Sequence, residues 1–174
     1  MAESGRENDG GQGRKLYWAA MVAILLGMTA LYQAVVRNDG GMRLQQGEHG
    51  EILVILERKR NGHFSAEGAI NGHPVVFLVD TGATDVAVSE RMARSMGLVF
   101  GPQIVISTAA GQVRGWITRL DSVQVGALLM RDVRATITPS LGREALLGMS
   151  FLRHYSIVQE GDTLVIASRG ENTP

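Results

Sequence analysis

The stretch Val75-Val76-Phe77-Leu78-Val79-Asp80-Thr81-Gly82-Ala83 decides the fold of this chain. Its first five residues are apolar and mostly β-branched, which is typical of a buried strand. A carboxylate follows at once, at a turn where Gly82 lets the backbone approach another group without a Cβ in the way. We therefore predict that Asp80 is held at a strand end and is a candidate catalytic residue. The alternative is that Asp80 is a turn residue that only accepts backbone N–H bonds.

The composition limits the classes of function that the chain can have. It has 174 residues, 17 basic and 17 acidic side chains, and no cysteine. This length allows one modest domain with an appendage. The balanced charge offers little attraction to nucleic acid, and the lack of cysteine excludes disulfides, thiol catalysis and thiolate metal sites. The four histidines show no metal-ligand spacing, so we expect neither a metal nor another cofactor.

An uncharged, mainly apolar segment runs from Leu16 to Val36. Its length corresponds to about 30 Å of helix, enough to cross a bilayer core, whereas the apolar region of a cleavable signal peptide usually has about 7–15 residues. We predict a single retained transmembrane helix over residues 16–36, with a signal peptide as the alternative. Basic residues that precede the segment favour a cytoplasmic N-terminus and a translocated domain, although the basic residues 58–60 count against this orientation.

The regions that flank this segment are polar and rich in glycine. Residues 1–15 are expected to form a disordered tail, and residues 37–50 a flexible linker. The folded domain is then expected over residues 51–168, followed by a short tail over 169–174.

Short apolar segments alternate with turn signals throughout this domain, which predicts a mainly β structure. Ser89 is placed to cap a short helix that ends near Met96, with Gly97 as its stop. Residues 145–152 are predicted to be a turn or a short helix rather than a strand. The expected strands are Ile52–Leu56, Phe64–Ile70, Val75–Val79, Ile104–Ile106, Val113–Leu120, Val123–Val125, Val133–Ile137 and Thr163–Ala167.

Together these features resemble the retropepsin-like, single-lobe aspartic proteases, in their membrane-anchored bacterial form. The resemblance covers about residues 60–168. It rests on the strand that leads into Asp80-Thr81-Gly82-Ala83, on a small-residue hairpin turn, and on Leu146-Leu147-Gly148, which is similar to the family's hydrophobic-hydrophobic-Gly element. It implies a closed β-barrel lobe of the acid protease fold with one or two short helices. Together with the orientation favoured by the basic residues, it predicts a bacterial inner-membrane protein with a periplasmic protease domain.

The resemblance also implies roles for individual residues. Thr81 would tie two active-site loops together through its hydroxyl, the Gly82 amide would support the carboxylate, and Ala83 would line the floor beneath the substrate. Leu146, Leu147 and Gly148 would be structural residues near the site. The flap that covers the substrate would consist of Thr108, Ala109, Ala110, Gly111 and Gln112.

Peptide hydrolysis needs a base for the attacking water and an acid for the departing amine, and two close carboxylates that share one proton supply both. This chain has one Asp-Thr-Gly, and Asp85, Asp121 and Asp132 lack the same context. We therefore predict a homodimer in which a two-fold axis brings together two copies of Asp80. The resemblance further suggests that Thr163–Ala167 contributes to a sheet between the two subunits.

These predictions describe a membrane-anchored aspartic endopeptidase that acts on protein or peptide substrates. One alternative is a non-catalytic, retropepsin-like dimerisation or peptide-binding module. Another is a structural β domain in which the motif is accidental.

Overall fold

The computed structural model of the chain describes residues 21–29, 41–48, 50–108, 111–139 and 141–169. The chain divides into two compact units, residues 1–39 and residues 40–174. In the first unit, residues 21–29 form helix α1, and its large apolar side chains are exposed.

Within the described ranges, no helix is both long and apolar enough to cross a membrane. The transmembrane segment predicted over residues 16–36 extends beyond α1 on both sides, outside the described residues, and stays a prediction. The tails predicted over 1–15 and 169–174 also lie outside the described residues, apart from Arg169.

The described part of the second unit is mainly β, as predicted. Its two short helices are α2 (Glu90–Ser95) and α3 (Met149–Leu152). Its strands are β1 (Met42–Gln46), β2 (Ile52–Glu57), β3 (Ser65–Ile70), β4 (His73–Val79), β5 (Val86–Ser89), β6 (Gln103–Thr108), β7 (Gly111–Val125), β8 (Leu128–Thr138), β9 (Ala145–Leu147), β10 (Ser156–Glu160) and β11 (Thr163–Ala167).

The strands form two sheets. The smaller sheet has the order β1-β2-β11-β10, and all of its pairings are antiparallel. The larger sheet has the order β3-β4-β9-β5-β8-β7-β6, and β7 pairs a second time, with β3, at Gly68–Ile70. The resemblance implies a lobe closed into a β-barrel, and this closure stays a prediction.

The predicted linker is wrong for residues 42–46, which form β1. This strand pairs with β2 from Met42↔Leu56 to Gln46↔Ile52, and Met42 packs against the core. Two of the glycines that suggested a tether instead lie in the turn of a hairpin, where the Gly50 N–H donates to the Gly47 carbonyl at 3.1 Å. The folded domain therefore begins before Glu51.

The predicted role of the C-terminal strand in a dimer sheet is also wrong. Thr163–Ala167 is β11, as expected, but it lies between β2 and β10 of the same chain. Both of its hydrogen-bonding edges are therefore occupied. Among the described strands of this sheet, the free edges belong to β1 and β10.

Local signals located α2 correctly. The Ser89 hydroxyl accepts from the Met92 N–H at 3.3 Å, and Gly97 adopts φ +65° just after the helix, a conformation that glycine allows without strain. Residues 145–152 differ from the prediction in their first half, since Ala145–Leu147 is a strand and only Met149–Leu152 is helical. The two neighbours of β9 impose this extended conformation, because β9 pairs with both β4 and β5.

The apolar core fixes the strands that carry the site. Phe77 of β4, Leu147 of β9 and Phe151 of α3 are fully buried. Burial of each such side chain stabilises the fold by about 1.5–3 kcal/mol relative to exposure. The β9–α3 region is thereby packed against β4, about 70 residues earlier in the sequence, beside the residues that follow β4.

Candidate active site

The Asp80 loop, residues 80–85, follows β4 directly and is stabilised by hydrogen bonds within the loop. The Gly82 N–H donates to Asp80 Oδ1 at 2.9 Å, and the Ala83 N–H donates to the Asp80 carbonyl at 3.2 Å. The Asp80 N–H donates to the Leu147 carbonyl at 3.2 Å. The half-buried carboxylate is therefore held at one position at the strand end by a backbone N–H.

The hydrophobic-hydrophobic-Gly element lies directly beside this loop. Leu146 pairs with Leu78 of β4 and with Ala87 of β5, so β9 fills the space between the strands on either side of the Asp80 loop. At Gly148, an added Cβ would lie 2.8 Å from the Ala83 carbonyl oxygen. Only glycine allows the two backbone segments to pack this closely.

Helix α3 holds the second half of the Asp80 loop by hydrogen bonds. The Met149 N–H donates to the Ala83 carbonyl at 2.8 Å, and the Ser150 N–H donates to the Thr84 carbonyl at 2.9 Å. The Ser150 hydroxyl accepts from the Val86 N–H at 2.8 Å. The sequence reading missed Ser150, because its partner lies 64 residues away and no local pattern indicates the contact.

Asp85 is part of the same loop but has a structural partner. Its carboxylate pairs with Arg134 of β8, with 3.1 Å between Oδ2 and Nε, and its side chain is only 10% exposed. Asp132 pairs with Arg119 of β7 at 2.7 Å. The third candidate, Asp121, is exposed on β7. Two of the three carboxylates considered as partners for Asp80 are thus engaged by arginines.

The predicted flap residues lie at the tip of the β6–β7 hairpin. The last pair of the ladder is Thr108↔Gly111, and Gly111 has φ +113°, which favours glycine. Gln112 is exposed and pairs with Ser107. Ala109 and Ala110 lie outside the described residues. Their closure over a substrate stays a prediction, as do the roles of Thr81 and Ala83 beside Asp80.

Trp116 lies at the base of this hairpin and has a packing role. Its ring meets that of Phe100 edge to face, with 5.3 Å between centroids. The Arg94 guanidinium lies 5.0 Å from the centroid of Phe100. These contacts join the hairpin to the region of α2, away from the hairpin tip.

An aromatic pair links α3 to the residues that follow it. The rings of Phe151 and Tyr155 lie 4.8 Å apart. Burial raises the pKa of the Tyr155 hydroxyl above its ordinary value of 10.0, because the charged form loses hydration.

The family model described as gag-polyprotein putative aspartyl protease matches residues 66–154, just over half of the chain. A protein from the cobV 5′ region of a Sinorhizobium species is 31% identical over 117 residues, which cover 63% of this chain and 49% of that protein. An uncharacterised protein of Rickettsia prowazekii is 30% identical over 111 residues, which cover 62% of this chain and 47% of that protein. The chain spans about half the length of these curated relatives.

Among solved structures, a retropepsin-like aspartic protease from Rickettsia conorii matches with a TM-score of 0.57 and 23% identity. The match covers 75% of this chain and 94% of that chain. The fold is therefore retropepsin-like, as the sequence predicted.

Proposed function

The chain belongs to the gag-polyprotein aspartyl protease family, and we propose from this premise that it is an aspartic endopeptidase that hydrolyses peptide bonds in proteins. The observation that carries the proposal is the Asp80 carboxylate, which the Gly82 amide holds at 2.9 Å at the end of β4. A carboxylate fixed in this way is positioned to take a proton from an attacking water. No metal or organic cofactor enters the proposed reaction.

The second carboxylate of the proposed pair comes from a second copy of the chain. Within the described ranges Asp85 and Asp132 are paired with arginines and Asp121 is exposed on β7, which supports a second copy of Asp80 as the partner. A two-fold axis that passes between two Asp80 loops makes the pair isologous, with one carboxylate from each subunit. At hydrogen-bond distance both carboxylates cannot ionise cheaply, so one acts as base while the other acts as acid.

The proposed dimer uses surfaces other than β11, whose two edges are occupied within its own chain. In this proposal the second copy meets the free edges of β1 and β10 together with the Asp80 loop. An extended substrate peptide would lie between the two Asp80 loops and the hairpin tips. Closure of the hairpins would then exclude bulk water from the carboxylates.

We also propose that the domain is anchored in the bacterial inner membrane and faces the periplasm. The exposed apolar side chains of α1, among them Ile24 and Leu26, support an apolar surrounding for this helix. Fractionation tests this: the full chain should sediment with membranes after an alkaline wash, and a chain lacking residues 1–39 should be released. Release of the full chain by the same wash would contradict the anchor.

The central experiment compares Asp80→Asn with Asp121→Asn. The purified full chain is incubated in detergent with a peptide library at several pH values, and the cleavage products are identified by mass spectrometry. The Asp80 variant should lose cleavage because the amide cannot accept the proton, whereas the exposed Asp121 control should keep it. Unchanged cleavage by Asp80→Asn would refute the assignment.

A mixing experiment tests the shared site. When the active chain and Asp80→Asn are mixed in equal amounts and exchange freely, random pairing leaves about one quarter of the pairs fully active. A monomeric enzyme would instead keep about one half. The residual rate therefore distinguishes a site built from two subunits from one contained in a single chain.

The second candidate is a non-catalytic module that dimerises or binds peptides. It is favoured by the observation that one chain provides one Asp80 loop, while the neighbouring Asp85 has a structural partner in Arg134. Binding of library peptides at every pH without cleavage would select this function.

A further inference from the structure

A groove of about 550 Å³ borders the far end of the Asp80 loop. Thr84 and Asp85 form one wall, and the chain around the end of α3 forms another. The remaining wall comes from the paired strands β7 and β8. The charged side chains that line it are Arg119, Arg131, Arg134, Arg153, Asp85 and Asp132.

The charges in this groove do not balance. The two aspartates are neutralised by Arg134 and Arg119, in pairs of 3.1 Å and 2.7 Å. Arg131 and Arg153 are exposed, and neither has a carboxylate partner within the part of the chain that the structure describes. The groove therefore carries an excess of two positive charges in a chain whose net charge is zero.

The two unpaired guanidinium groups belong to residues in different parts of the fold. Arg131 lies on β8, opposite Ser122 of β7 in the strand register. Arg153 follows α3, and its Nε donates to His154 Nε2 at 3.3 Å, which orients the side chain without cancelling its charge. The guanidinium group of arginine presents its donors in a planar fork that suits a carboxylate.

We infer that this groove binds an acidic peptide segment. Separate carboxylates along such a segment can meet Arg131 and Arg153 individually and avoid Asp85 and Asp132. A continuous polyphosphate would place negative charge against those aspartates, and the whole chain has no basic excess with which to attract one. A concave groove also suits an extended chain better than a flat lipid surface.

The position of the groove connects it to the candidate site. Its wall begins at Thr84, four residues after Asp80, and β7 carries Arg119 and is also one strand of the flap hairpin. The inference rests on the proposed peptidase function only in naming the acidic segment as part of a substrate, bound beside the scissile bond. Binding of the segment itself does not require catalysis.

The binding test uses the full chain with Asp80→Asn, so that no peptide is cut. A fluorescently labelled peptide with four glutamates is titrated and followed by anisotropy, beside a peptide in which glutamine replaces each glutamate. Arg131→Ala and Arg153→Ala should each weaken binding of the glutamate peptide about three- to fivefold, as expected for one exposed ionic contact. Arg91→Ala is the matched control, since Arg91 is an exposed arginine on α2 and does not line the groove.

Several results would overturn the inference. They are equal binding of the glutamate and glutamine peptides, equal effects of the groove and control substitutions, or affinity that does not fall with added salt. Binding to vesicles with anionic lipid or to an oligonucleotide, without binding to the acidic peptide, would also overturn it. The salt series and the glutamine peptide need no variant, so they decide the question even if a substitution disturbs folding.

A cleavage assay separates this inference from the proposed function. With Asp80 intact, a cleaved peptide that carries an acidic extension should have a higher kcat/KM than the same peptide with a glutamine extension, and Arg153→Ala should reduce this ratio. Equal kcat/KM values would refute the groove and leave the peptidase standing. Acidic-peptide binding without any cleavage would refute the peptidase and leave the groove standing.

Discussion

Replacement of Gly148 by alanine tests whether β9 and α3 hold the Asp80 loop in place. The backbone of Gly148 has φ −94° and ψ −175°, which any residue adopts, so the substitution causes no conformational strain of its own. The added Cβ would instead meet backbone on the opposite side, 2.7 Å from the Asp85 carbonyl carbon and 2.8 Å from the Ala83 carbonyl oxygen. Real Cβ atoms essentially never come closer than 3.0 Å to such neighbours.

The expected cost follows from these contacts. Overpacking of a filled site costs about 1–3 kcal/mol. If the two segments separate, the hydrogen bonds from Met149 and Ser150 to the Asp80 loop weaken, at about 1 kcal/mol each. The free energy of unfolding should therefore fall by about 3–5 kcal/mol, a large part of the roughly 5–15 kcal/mol that stabilises a typical domain.

The assay is urea unfolding of the full chain, followed by tryptophan fluorescence. Gly142→Ala is the control, because a Cβ at Gly142 meets nothing within 4 Å and the residue does not adopt a positive φ. This control should be neutral or slightly stabilising, by up to about 1 kcal/mol. Equal unfolding midpoints for Gly148→Ala and Gly142→Ala would refute the view that close backbone packing holds the Asp80 loop.

Two further predictions concern single interactions. Arg134→Ala should lower the free energy of unfolding in urea by about 1–3 kcal/mol, because it removes the partner of the mostly buried Asp85. Arg119→Ala breaks an exposed pair and should lower it by at most about 1 kcal/mol. Equal losses for the two variants would contradict this prediction. Because burial raises the pKa of Tyr155, the stability linked to its neutral hydroxyl is present below pH 10 and is lost as the pH rises through the raised value. The stability of the parent chain relative to Tyr155→Phe should thus fall between pH 9 and pH 11, and a constant difference over this range in unfolding experiments would contradict it.

Features that depend on neighbouring residues were predictable from the sequence. The turn at Asp80 required only an apolar strand followed by Thr81-Gly82, and α2 required only the Ser89 cap and a glycine stop. In both cases the residues that form the hydrogen bonds lie within four positions of each other, so the pattern contains the interaction.

Features that depend on distant partners were not predictable in this way. Residues 145–147 are extended because β4 and β5 lie on either side of them, and Ser150 matters because of Val86. Residues 42–46 were predicted to be a linker because the segments on either side of them are rich in glycine. They are a strand because they pair with β2. Tertiary pairing overrode local composition in each case.

The parallel pairing of β4 with β9 also constrains when the Asp80 loop forms during synthesis. The pair joins residues 77–79 to residues 145–147, and its helical continuation ends at Leu152. A nascent chain that has not yet released these later residues from the ribosome lacks the support that shapes the loop around Asp80. Parallel pairings of such long sequence separation are slow to form, because the entropy of closing a long loop opposes them. The loop around Asp80 therefore reaches its folded shape only after nearly all of the domain has emerged from the ribosome.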